Sequence, residues 1–250
     1  MIPGPGRRPP RRIALWSGPR SLSTALLRSW ESRADTAVSD EPFYAYFLTA
    51  TGADRPNAGD SLDSQPHDWR VVLGRLLGEV PDRRPIWFQK HHAMHLLPEV
   101  PRSWIAGMTN CFLVRHPARV AVSYARIRPG FTAEDLGFRQ LRAVFGYVTE
   151  HCPGTPPVLN AADLARDPPT ALKALCAALG VDFTEDMLAW PPGRHEHDPS
   201  LGDPWYRNVQ GSSGYLPYTE DEPQVPAELR GVVDACMDDY LHLDRHRIHC

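Results

Sequence analysis

The sequence predicts a three-layer α/β fold, a mostly parallel sheet of about four to five strands flanked by helices. Three observations carry that prediction. A short apolar run, Ile13–Trp16, breaks at Ser17-Gly18-Pro19 and passes into helical spacing at Leu22, Ala25, Leu26 and Trp30. Short apolar runs and amphipathic segments then alternate along the chain, as parallel strands with crossover helices require. The 250 residues, 42% hydrophobic and 23% charged, are enough for one sizeable domain of this kind.

Residues 1–11, mostly Pro, Gly and Arg, are expected to be a disordered tail, and 12–250 a single domain. After the opening strand and helix, Thr36–Ser39 is a second strand running into Asp40-Glu41-Pro42, and the proline allows a helix over Phe43–Leu48. Residues 51–66 lack periodicity and read as a surface loop. Leu73, Leu76, Leu77 and Val80 mark an amphipathic helix. Ile86–Gln89 is a third strand ending at Lys90-His91-His92, and Asn110–Val114 a fourth ending at Arg115-His116-Pro117. Pro117 suits the first turn of a helix with Ala118, Ala121, Val122 and Ala125 inward and Arg119, Ser123 and Arg126 outward. Thr132 with Asp135 predicts the cap of a longer helix through about Glu150. Pro157–Asn160 is a fifth strand candidate. Asp167-Pro168 starts a helix that buries Leu172, Leu175, Cys176 and Leu179 and ends at Gly180. The last helix groups Val233, Cys236, Met237, Tyr240 and Leu241.

Composition narrows the function classes. A net charge of −3 gives no support for a nucleic-acid or membrane-surface partner. No apolar run reaches the roughly 18 residues of a membrane span, and the N-terminus lacks the apolar region of a signal peptide. The five cysteines are scattered without a C-x-x-C, and Cys111 and Cys176 lie in apolar runs. These features predict a cytoplasmic protein in a reducing compartment.

In an open parallel sheet the ligand site lies beyond the carboxyl ends of the strands. Four candidate strands end there in polar groups: Arg20 with Ser21, Ser23 and Thr24; Asp40-Glu41; Lys90-His91-His92; and Arg115-His116. A strand, a small-residue loop and a helix aim free N–H groups at an anion, whereas a plain βα turn would use the hydroxyls only as caps. Arg20 with Lys90, and Arg115 with Ser123, are expected to form two separate cation sites for one ligand with two anionic groups. Glu41 beside them is either a general base or a structural ion-pair partner.

Pro19-Arg20-Ser21-Leu22-Ser23-Thr24 resembles the P-[KR]-S-G-T-T loop of the sulfotransferase family. Leu113-Val114-Arg115-His116-Pro117, with Ser123 eight residues after the arginine, resembles that family's second signature, L-x-R-[DN]-P followed by Ser. The resemblance spans roughly residues 12–127 and is nearest to the tyrosylprotein and bacterial branch. It implies a P-loop NTPase-like fold and the donor 3′-phosphoadenosine 5′-phosphosulfate (PAPS). Arg20, Ser21, Ser23 and Thr24 would hold the phosphosulfate, and Arg115 with Ser123 the 3′-phosphate. Glu41 would be the base and Lys90 the sulfuryl-stabilising cation; Arg20, His91 and Ser212 (in Gln210-Gly211-Ser212-Ser213) complete the expected catalytic set. Two residues depart from the pattern: Leu22 replaces the loop glycine, and His116 the acid after the signature arginine. The C-terminal R-K-G-x-x-G segment is also missing.

The implied reaction is in-line transfer of the sulfuryl group to a hydroxyl or amine of a small molecule, releasing 3′,5′-bisphosphoadenosine. Sulfuryl groups carry less charge than phosphoryl groups, so no metal is expected, and no G-x-x-x-x-G-K-[ST] motif is present. Three rivals remain: a nucleotide phosphotransferase, a non-catalytic nucleotide-binding module on the same fold, and a metal site using His91 and His95 at i and i+4. Histidines lining an acceptor pocket are the simpler reading of that last cluster. The groups at His195–Asp198 and at His242, His246 and His249 read as solvated. Aromatic residues in 43–66 and 191–218, including Tyr44, Trp205 and Tyr206, suit a hydrophobic or ring-bearing acceptor.

Overall fold

The computed structural model describes residues 9–55, 59–196, 198, 203–221 and 223–249. Five strands form one all-parallel sheet: β1 (Arg11–Ser17), β2 (Thr36–Asp40), β3 (Ile86–His92), β4 (Thr109–Val114) and β5 (Val158–Asn160). Their spatial order is β2-β3-β1-β4-β5. The central β1 has β3 on one side and β4 on the other, so the loop leaving β1 sits between the loops that follow both. That reversal of strand order is where an open α/β sheet opens a crevice.

Residue parity sorts the two layers. Ile13, Leu15, Phe88, Cys111 and Leu113 pack against Leu26 and Trp30 of α1 (Ser23–Glu31), with the Trp30 and Phe88 rings stacked at 4.5 Å. Ala14, Trp16, Trp87 and Phe112 face the opposite layer. Trp16 sits there with its Nε1–H donated to Asn110 Oδ1 at 2.8 Å, so the buried indole keeps a polar partner.

Helix boundaries differ from expectation where local turn chemistry overrides periodicity. β1 starts at Arg11, inside the stretch expected as tail, because Arg11 pairs opposite Ile86 and its N–H donates to the Pro85 carbonyl at 2.9 Å, while its guanidinium donates to the Leu179 carbonyl; residues 1–8 lie outside the described residues. α2 (Tyr44–Thr51) runs past Leu48 and stops at Gly52, whose φ of 64° ends it. α3 (Gly59–Ser64) lies within the expected loop. α4 (Trp69–Leu77) is capped by Asp68 and buries Val72, Leu73 and Leu76, leaving Leu77 half exposed.

α5 (Pro117–Ala125) follows β4 as expected. Asp135 does accept from the Thr132 N–H, at 2.9 Å, yet what forms there is only a short 3-10 turn over Glu134–Leu136 that no side chain caps. Gly137, with φ of 71°, then resets the chain, and α6 (Phe138–His151) begins only there. After α7 (Ala161–Arg166), α8 (Pro168–Leu179) has the expected Asp167 cap, buried face and Gly180 stop. The short α9 (Arg207–Gln210) precedes α10 (Ala227–Asp244), which buries Leu243 with Val233, Cys236 and Tyr240 and leaves Leu241 exposed. Among the described residues, no helix is long and apolar enough to cross a membrane.

Candidate active site

The carboxyl ends of β1 to β4 open onto one cleft of about 1660 Å³. Its first half is the loop after β1. Arg20 and Leu22 both have positive φ, 57° and 69°, so the chain turns sharply before α1. Leu22 is the residue preceding α1, and no side chain caps that helix. The first-turn N–H groups are therefore available to an anion. Left-handed backbone at a non-glycine residue costs roughly 1–2 kcal/mol. This accounts for a glycine at that place in the family loop; here Leu22 keeps the conformation while its side chain packs against the core under α1.

Arg20 Nε donates to Ser123 Oγ at 3.0 Å and its Nη1 to the Trp205 carbonyl at 2.9 Å. Arg115 Nη1 donates to the Arg20 carbonyl at 2.7 Å. These bonds all go to neutral oxygens. Burial, with Arg119 and Arg20 adding repulsion, pushes Arg115 down to about 10; burial and Arg126 lower Arg20 as well. His116 takes the place of an acid by a different route: its Nδ1 accepts from the Ala118 N–H at 3.3 Å and caps α5.

The second half is a charge cluster at the ends of β2 and β3. Parallel register sets Asp40 opposite Lys90, and the Glu41 N–H donates to the Lys90 carbonyl at 2.9 Å. Lys90 Nζ is fully buried and lies 2.6 Å from Asp40 Oδ1, 2.7 Å from Glu41 Oε1 and 3.3 Å from Thr24 Oγ1. Burial opposes the ammonium, but Asp40 and Glu41 outweigh it and hold Lys90 above its ordinary value. Burial raises the Asp40 carboxyl, against the pull of Lys90 and of the Tyr206 hydroxyl, which donates to Asp40 Oδ2 at 2.6 Å. Glu41 itself has φ of 42°, a third strained residue on the cleft wall.

The other oxygen of Glu41, Oε2, lies 3.2 Å from His92 Nδ1 and 3.9 Å from His95 Nδ1. Burial pushes His95 down to about 3, with Glu41 opposing, and lowers His92 far below its ordinary value, with Lys90 adding. Tyr44 stacks on His95 at 5.0 Å, so an aromatic wall adjoins the carboxylate.

Several expectations are corrected by this geometry. Arg20 does not pair with Lys90: it joins Ser123 and Arg115, and Lys90 joins Asp40, Glu41 and Thr24. His91 does not line the cleft, because strand alternation turns it to the opposite layer from Lys90 and His92. Its ring stacks on Trp16 at 4.8 Å and leans on Trp104 at 5.6 Å, and burial pushes it down to about 3. A metal site from His91 and His95 fails for the same reason. Ser21 Oγ is turned back onto the Gly18 carbonyl at 2.7 Å, which leaves its backbone to face a ligand. Ser212 Oγ donates to the Val209 carbonyl and accepts from Trp190 Nε1, at 2.9 and 3.3 Å, and so has a structural task. The His195–Asp198 group, expected to be solvated, is engaged instead: His195 lies 2.5 Å from Glu31 Oε2 and buried Asp198 pairs with buried Arg28, while His197 lies outside the described residues.

Sequence reasoning named Asp40 and Tyr206 without the contacts they make, and missed Arg55. Asp40 becomes the partner of Lys90 only through register, and Tyr206 reaches it from 166 residues away. Arg55, buried in the loop before α3, is held by Tyr124 Oη at 2.9 Å and Asp135 Oδ1 at 2.8 Å. No local motif signals any of them. His92 differs: the two-residue period of a strand places it on the face of Lys90, and that signal was available.

Comparison with known proteins agrees with this architecture. The chain resembles branched-chain-amino-acid aminotransferase-like protein 2 of Arabidopsis thaliana, 31% identical over 238 residues, covering 95% of this chain and 42% of that protein. The related protein 1 is 35% identical over 208 residues, covering 82% and 37%. The chain thus spans less than half the length of these curated relatives. Among solved structures, the sulfotransferase domain from the curacin biosynthetic pathway superposes with a TM-score of 0.56 at 18% identity, covering 92% of this chain and 99% of that one. The sulfotransferase from Alicyclobacillus acidocaldarius gives 0.56 at 15% identity, covering 98% of each. Both share the fold. Residues 11–243 match the sulfotransferase-domain family model, and the chain belongs to that family.

Proposed function

We propose that this chain transfers the sulfuryl group of PAPS to a hydroxyl or amine of a small-molecule acceptor. The observation that carries the proposal is a pair of half-buried arginines, Arg20 and Arg115, bonded to neutral oxygens in the same cleft as a buried lysine–carboxylate pair. Partly desolvated cations without a carboxylate partner are matched by an anionic ligand. Arg115 and Ser123 take the 3′-phosphate; Arg20, the backbone at Ser21–Thr24 and the Thr24 hydroxyl take the phosphosulfate.

In the reaction the bond from sulfur to the bridging oxygen breaks and a bond from sulfur to the acceptor atom forms. The acceptor's proton passes to Glu41, and the bisphosphate leaves with the bonding pair. Lys90 and Arg20 supply the positive charge that the transferring group and leaving oxygen meet, an electrostatic contribution that preorganisation makes effective. The aromatic wall of Tyr44, Trp205 and Tyr206 suits a ring-bearing or hydrophobic acceptor. The cysteines 111, 152, 176 and 236 are free thiols, which suits a reducing, cytoplasmic setting.

A second reading of the base has its own support. His92 Nδ1 faces Glu41, the arrangement in which a carboxylate orients an imidazole so that its other nitrogen accepts the proton. Replacing Glu41 by Gln disables both versions, whereas His92→Gln disables only this one. Calorimetric titration with PAPS, 3′,5′-bisphosphoadenosine and ATP–Mg²⁺ tests the whole proposal: the first two should bind and the third should not. A chain with no affinity for the bisphosphate is not a PAPS-dependent enzyme.

A further inference from the structure

The end of β3 and the turn after it gather three ligating atoms that the transfer reaction does not use together. Glu41, His92 and His95 each offer one atom, and all lie within 4.8 Å of one another. The two distances from Glu41 Oε2, 3.2 Å to His92 Nδ1 and 3.9 Å to His95 Nδ1, bracket the spacing between neighbouring ligands of a tetrahedral ion with bonds of about 2.0–2.2 Å, roughly 3.4 Å.

The set is held in place from outside. Oε1 of Glu41 is anchored by Lys90, which leaves Oε2 directed at the two rings. The His95 ring is fixed between Tyr44 and Phe47, at 5.0 and 4.8 Å. His95 is 4% exposed, and its Nδ1 is buried without a hydrogen-bond partner. A buried nitrogen with nothing to bond is costly, and an ion between the rings and the carboxylate would satisfy it. Two imidazoles and a carboxylate, with a fourth position open to the cleft, are a donor set for a borderline ion such as Zn²⁺. The sequence pair His91 and His95 pointed to the right stretch; the parity of β3 replaces His91 with His92, and Glu41 completes the set.

We propose that Glu41, His92 and His95 form a Zn²⁺-class site at the acceptor end of the cleft, and that its occupancy withdraws Glu41 from proton transfer. Binding stands on the three ligands alone; the inhibitory consequence rests on the function proposed above. The two are therefore read separately. The full chain, stripped with a chelator, is titrated with Zn²⁺ by calorimetry and with Co²⁺ by visible absorption. The expected result is one ion per chain, with Co²⁺ bands of a four-coordinate site that Zn²⁺ abolishes. His95→Gln and His92→Gln should each lose that binding. His92 is the less buried of the two, so its variant serves if the His95 variant does not fold, with circular dichroism as the check. No stoichiometric binding to the unmutated chain overturns the proposal, as does binding that survives in a folded His92→Gln chain, which would assign the ion to surface histidines. If Zn²⁺ binds but leaves sulfuryl transfer unchanged, the site stands and the base assignment to Glu41 falls.

Discussion

Arg20 Nε reaches Ser123 Oγ at 3.0 Å across 103 residues of chain, joining the loop after β1 to the helix after β4. The anion-binding half of the cleft is thus one connected unit, in which Arg115 holds the Arg20 carbonyl while Ser123 holds its side chain.

Arg115→Ala should weaken 3′,5′-bisphosphoadenosine about 10- to 100-fold, since a charged hydrogen bond contributes ~1.5–3 kcal/mol. Calorimetry of the folded variant measures it, and an unchanged dissociation constant would remove Arg115 from the donor site. Arg20→Ala should lose about a hundred- to a thousandfold in kcat, the usual loss for one transition-state donor.

Glu41→Gln should lower kcat by about a hundred- to ten-thousand-fold, the span of general-base contributions, across pH 6–9. A variant with full activity over that range would exclude both Glu41 as base and a His92 base that depends on Glu41 to orient it.

Leu22 allows two substitutions that separate backbone from side chain. Leu22→Ala keeps the left-handed strain and loses the packing against the core, so it should destabilise by about 1–2 kcal/mol. Leu22→Gly loses the same packing but removes roughly 1–2 kcal/mol of strain. Urea denaturation should therefore find the glycine variant the more stable of the two. The reverse order would mean that Leu22 is not strained.

His91 predicts the acid limb of stability. Its folded pKa is pushed down to about 3, below the unfolded value, so the unfolded chain takes up the proton first as pH falls. The stability associated with the neutral ring is fully present above about pH 6.5 and is lost between there and about pH 3, at up to ~1.4 kcal/mol per pH unit. His91→Phe should fit among Trp16, Phe43 and Trp104 and flatten that slope in unfolding measurements from pH 7 to pH 4. An unchanged slope would assign the acid limb to His92 and His95.

The alternation of runs and helices is enough to place four strand ends on one edge, because period-two and period-3.6 burial leave strong local signals. The misplacements have definite causes. Gly137 sets the start of α6 because a single left-handed residue overrides the Thr132–Asp135 pair just before it. A strand ending at Gln89 leaves His91 free to face the cleft; β3 continues through His92, and its parity then chooses between the two histidines. Charge alone suggests a pairing of Arg20 with Lys90, yet Lys90 is ion-paired with carboxylates that adjoin it only through β2–β3 register. Tyr206 and Arg55 reach the site or its wall through tertiary contacts that no local pattern encodes.

The turn at Asp203–Tyr206 touches both halves of the cleft, through the Trp205 carbonyl on Arg20 and the Tyr206 hydroxyl on Asp40. One turn that holds both a donor-loop arginine and the partner of Lys90 gives the two ends of the cleft a shared structural element. A ligand that takes Arg20 away from Trp205 is expected to alter the hold on Asp40, and by reciprocity a change at Asp40 is expected to alter affinity at Arg20. Amide exchange across residues 203–210 would register either event, so occupancy of one end can be read from a segment that belongs to neither signature motif.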